Sequence, residues 1–110
     1  MIDPLVEQIE ARVVELEREM SDPAVISDRE RNAEVGREYR ELQPARDLAR
    51  EYRRLRDDLE GARELLAEDG DDPELRKTVE EAPARLEQLE EEIRLAMIER
   101  DPNDAKNVLV

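Results

Sequence analysis

The side chains of this 110-residue chain that could do chemistry are almost all carboxylates and guanidinium groups. There are 32 Asp and Glu against 18 Lys and Arg, with no His and no Cys. That inventory excludes imidazole catalysis, thiol chemistry, disulfides and the usual zinc sites. Aliphatic hydroxyls are confined to Ser21, Ser27 and Thr78, and the glycines stand isolated, so no phosphate-cradling loop exists. Acidic pairs such as Asp57-Asp58 and Asp71-Asp72 lack the spacing of a Ca²⁺-binding loop. No catalytic residue, cofactor site or metal site is expected, which leaves binding chemistry.

Two candidate contact surfaces stand out. Arg46, Arg50 and Arg53 recur at helical spacing, with Asp57 on the same face and Arg54 and Arg56 beside it. A row of this kind can track phosphates. Here Asp57, Asp58 and Glu60 each follow an Arg by four residues, which neutralises the local field. Aromatic residues, needed between the charges for base stacking, are only 2% of the chain. DNA is therefore not an expected partner, while an isolated contact with structured RNA stays open. The second surface is a run of glutamates, Glu80, Glu81, Glu87 and Glu91 with Glu90 and Glu92 among them. It reads either as a solvated face or as the counter-charge to arginines on a neighbouring helix.

The net charge of −14 is unevenly spread. Residues 37–63 hold eight Arg against seven acids, whereas 64–92 hold twelve acids against three bases. Residues 1–20 add six acids against two Arg. Two acidic segments thus flank an arginine-rich middle. The plain reading is compensation between packed helices; the sharper one is an arginine face for RNA or a protein partner.

Those side chains must be held by helices. Between Asp28 and Glu68 the apolar residues are Val35, Tyr39, Leu42, Ala45, Leu48, Tyr52, Leu55, Leu59, Ala62 and Leu66, all at steps of three or four. A helix of that length extends roughly 60 Å, too long for a chain of this size to wrap. Its stripe must be covered by helices lying alongside. The first is 4–20, with Leu5, Val6, Ile9, Val13, Leu16 and Met20 on one side and Asp3-Pro4 as its opening. The other is 72–98, with Leu75, Val79, Ala82, Leu86, Leu89, Ile93 and Met97 in a heptad seam. Ser27 and Glu30 form a capping box for the middle helix, with Ile26 as a staple and Val25 as an end plug. Gly70 suits a left-handed C-cap. Pro44 is predicted to kink the middle helix or split it, the unbroken stripe favouring a kink.

Several ordered motifs carry a resemblance. Ser21-Asp22-Pro23, Arg37-Glu38-Tyr39, Arg50-Glu51-Tyr52, Asp72-Pro73-Glu74-Leu75 and the tail Asp101-Pro102-Asn103-Asp104-x-Lys106-Asn107 resemble the N-terminal domain of the bacterial peptide chain release factor 1 family. The tail is the specific part. The resemblance implies a helical domain of a factor that ends translation at UAA and UAG, docking near the base of the ribosomal stalk. In that family a Gly-Gly-Gln loop performs hydrolysis and a Pro-x-Thr tripeptide reads the stop codon. Neither occurs in this sequence, so no catalytic residue carries over.

The expectation is an all-α, elongated antiparallel three-helix bundle over residues 1–100. Residues 101–110 would be a linker and the start of a strand, Val108-Leu109-Val110, from a following domain. The implied partners are the ribosome and the rest of the factor chain, with the fragment itself a monomer or weak dimer. No apolar run spans a membrane and the N-terminus lacks a basic leader, so no membrane partner and a cytoplasmic location are expected. The competing reading is a structural coiled coil that oligomerises or serves as an adaptor through the heptad seam of 75–97.

Overall fold

The structure, a computed structural model, describes residues 2–99. They form four helices: α1 (Asp3–Met20), α2 (Pro23–Ser27), α3 (Arg29–Asp69) and α4 (Pro73–Glu99). The three long helices fall within one residue of the predicted spans. The proposed turn and strand at 101–110 lie outside the described residues.

At about 1.5 Å per residue, the 41 residues of α3 span roughly 60 Å, and the molecule measures 58 × 37 × 18 Å. One helix therefore sets the long axis. α3 runs unbroken through Pro44. An interior proline costs a helix about 3 kcal/mol. Here Leu42 and Ala45, on either side of it, are buried in the core and offset that loss. α1 and α4 both lie antiparallel to α3: Asp3 meets Arg56 while Arg12 meets Glu38, and Arg85 meets Glu51 while Ala96 lies beside Pro44.

The core is aliphatic and narrow. Val6, Ile9, Val13 and Leu16 of α1 meet Val35, Leu42, Ala45, Ala49 and Tyr52 of α3 and Leu89 and Ile93 of α4. Ala49 was not in the predicted stripe, yet it is fully buried. α3 presents two adjoining apolar faces, one to each neighbour, and a single stripe drawn along the wheel misses the residue between them. α1 begins level with Arg56, which binds Asp3 at 2.7 Å. Beyond that point α3 and α4 continue as a pair. Leu59, Ala62 and Ala82 are buried there, separate from the main core. The molecule is thus a three-helix body with a two-helix arm.

Local chemistry departs from the expectation at the helix ends. Between α1 and α3 the connection is itself a helical turn, α2, started by Asp22, whose carboxylate accepts the Ala24 N–H at 3.0 Å. Val25 is buried, as a plug should be, but Ile26 is half exposed. The N-cap of α3 is Asp28, accepting from Arg31 N at 3.2 Å. Ser27 instead donates to the Pro23 carbonyl at 2.6 Å, because α2 has drawn it into its own last turn. Asp3 makes no cap; its carboxylate is taken by Arg56. Gly70 has φ −40°, not a left-handed value, and a Cβ there would sit 3.2 Å from the Leu66 carbonyl.

Tyr52 marks the meeting point of α1, α3 and α4. Its ring is buried beneath Arg56, whose guanidinium carbon lies 5.9 Å from the ring centre. Burial first, then the charges of Asp3 and Glu90, push the phenol above its ordinary pKa of 10.0. A phenol raised by folding contributes stability that is full below pH 10 and lost as pH climbs through the folded value. Tyr52→Phe is therefore expected to flatten the fall in unfolding midpoint between pH 9 and 11. Urea titrations at both pH values check this, and parallel losses in the two proteins would contradict it.

Candidate docking surface

The arginine row does not survive as one surface. Arg53 is spent inside the molecule: its guanidinium forks onto Glu10 of α1, at 2.9 Å from Nε and 2.6 Å from Nη2. Arg46 is half-buried and donates to Asp47 at 3.2 Å, with its Nε enclosed and unpartnered. Only Arg50 stands exposed, with no partner among the described residues.

Arg53–Glu10 is one rung of a ladder between α1 and α3. Arg12 forks onto Glu38 at 2.6 and 2.7 Å, Arg56 binds Asp3, Arg31 binds Glu19, and the Tyr39 hydroxyl donates to Glu17 at 3.3 Å. The carboxylate hydrogen bonds hold Arg12 and Arg53 above the ordinary arginine pKa. Pairs this exposed contribute little individually, about 0.2–1 kcal/mol. Their spacing suits only one register of α1 against α3.

Compensation between helices is thus present, but α1 supplies most of it. From the α4 side a single arginine reaches across: Arg85 binds Glu51 at 2.6 Å and its own helix's Glu92 at 3.4 Å. That contact with Glu51 raises the Arg85 pKa above its ordinary value. Glu80, Glu81 and Glu87 are exposed and take no ion pair among the described residues, and Glu91 lies 4.0 Å from Arg94 on the same helix. The glutamate face of α4 is left to solvent and partners.

The hydroxyls are accounted for. Ser21, Ser27 and Thr78 each donate to the carbonyl four residues back, so none is an activated nucleophile. Among the described residues no acidic cluster could hold a metal ion. A shallow groove of about 300 Å³ opens beside the α3–α4 arm, lined by Leu55, Lys77, Thr78, Glu81, Ala82 and Arg85. Its one hydroxyl, on Thr78, is committed to the Glu74 carbonyl. No helix among the described residues is long and apolar enough to cross a membrane.

The described residues thus form a body, an arm and an acidic face on α4 whose Glu80, Glu81 and Glu87 take no ion pair among them. The PCRF domain model matches residues 9–110. The chain belongs to the PCRF domain family. Curated relatives of this PCRF chain include peptide chain release factor 1 of Geobacter sulfurreducens, 38% identical over 96% of the chain, and that of Acidobacterium capsulatum, 40% identical over 94%. Peptide chain release factor 1 of Streptomyces coelicolor is 35% identical over 96%. The PCRF chain spans only about 30% of the length of these relatives. No solved structure matches it significantly.

Proposed function

We propose that this chain is the N-terminal helical domain of a class I release factor acting in translation termination at UAA and UAG, and that it docks and positions the factor on the ribosome. The observation that carries the reading is the PCRF match from residue 9 to residue 110, together with the three relatives named above, each a peptide chain release factor 1. Hydrolysis and codon reading belong to the rest of the factor, because Gly-Gly-Gln and Pro-x-Thr are absent from this sequence.

The geometry suits a docking role. α3 is continuous through Pro44 and runs the length of the molecule, so arm and body share one helix. The acidic side of α4, with Glu80, Glu87 and Glu91 on one face and Glu81 beside the groove next to it, is a surface for a basic protein partner, which on the family pattern lies at the stalk base. Complementary charge of this kind mainly raises the association rate.

Reversing that face in the full-length factor, with E80K/E81K/E87K/E91K, is expected to lower kcat/KM for peptide release several-fold and leave kcat at saturating factor unchanged. Release kinetics over a range of factor concentrations read both constants. A fall in kcat at unchanged KM would contradict a docking role for the face.

A further inference from the structure

We infer that the outward face of α3 between Arg29 and Arg54 is a second docking surface, and that its partner is the phosphate backbone of structured RNA. The inference rests on the reading that the domain docks on the ribosome, and adds a class of partner and a face to it.

The starting observation is a set of arginines left unpaired in a chain with a large excess of carboxylates. Arg29, Arg40, Arg50 and Arg54 are all exposed and take no ion pair among the described residues. At 3.6 residues per turn they fall within about a quarter of the helix circumference. This sector faces away from α1 and α4. Asp47, inside the sector, is bound by Arg46, and Glu51, at its edge, is bound by Arg85. Glu30, Glu34 and Glu41 are exposed but lie about a quarter to a third of a turn from the sector, and its unpaired carboxylates begin only at Asp57 and Asp58. An electropositive strip therefore runs along one side of an acidic protein.

Two further features decide what it fits. None of the exposed large apolar residues lies on α3 before Leu65. Protein interfaces are anchored by buried apolar and aromatic side chains, which the strip lacks, whereas phosphate contacts need only guanidinium groups. Without aromatics the strip holds a backbone and reads no base. Gly36, in the middle of the same sector, is disfavoured in a helix interior. No packing inside the molecule requires it, since a Cβ there would meet only the mobile end of Arg40, at 3.4 Å. A missing side chain on an outward face lets another backbone come close.

The test is binding of the 110-residue chain to deproteinised bacterial large-subunit ribosomal RNA and to intact large subunits, at 50 and 200 mM KCl, beside R40A/R50A/R54A. Four phosphate contacts imply a loss of roughly 50- to 150-fold between the two salt concentrations. The variant, whose substitutions are exposed and whose helicity is checked by circular dichroism, is expected to bind RNA at least tenfold more weakly at low salt, with a much shallower salt dependence. Equal RNA affinity of variant and wild type overturns the inference. So does binding to intact subunits without binding to deproteinised RNA, which points to a protein partner and leaves the docking reading standing. Binding to neither overturns both.

Discussion

Leu89→Ala is expected to destabilise the domain by about 3–5 kcal/mol, because Leu89 is fully buried where α4 closes the main core. For a domain of this size that is a fall in melting temperature of roughly 10–20 °C. The same truncation at Leu59 should act differently. Leu59 is also buried, but in the two-helix arm, where no third helix holds the neighbours in place around the cavity. Its loss is expected near the low end of the Leu→Ala range, about 2 kcal/mol. The effect should show as faster amide exchange through residues 57–84 more than as a lower global melting point. Thermal unfolding of both variants with exchange mapped along the chain decides the matter. Identical exchange maps would mean that body and arm are one cooperative unit.

That division bears on the function proposed. An arm with a thin core opens at lower energy than the body, and it is the arm that carries Glu80 and Glu81. A partner that grips the arm would stabilise it on binding, so docking and ordering of the arm are linked.

The helices themselves were legible because burial on one side of a helix imposes steps of three and four, and Leu42, Leu59, Leu89 and Ile93 all obey them. Their continuity through Pro44 was legible for the same reason: the stripe stays in phase across it. Partner choice was not. A wheel says that Arg53 and Glu80 each face outward from a seam; it does not say which helix lies opposite. The structure gives Arg53 to Glu10 of α1, which removes it from the candidate surface. The strip that replaces the predicted row, through Arg29, Arg40 and Arg54, becomes visible only once the cross-helix pairs have been assigned. Cap identities failed on a smaller scale. Ser27 and Asp28 are both good N-caps, and the choice between them turned on a five-residue helix with no periodicity to announce it.

The docking claim meets its most direct test in the full-length factor with residues 1–100 deleted. Removing both the acidic face and the arginine strip should have the largest kinetic effect of any change considered, at least tenfold on kcat/KM for release. On the proposed reading the reacting groups lie in other domains, so turnover at saturating factor should stay near the wild-type value. The measurement is single-turnover peptide release from stop-codon ribosomes over a wide range of factor concentrations. A rate that reaches the wild-type plateau only at much higher factor concentration is the predicted result. A deleted factor with unchanged half-saturation, or one whose plateau itself collapses, would contradict a docking role for this domain.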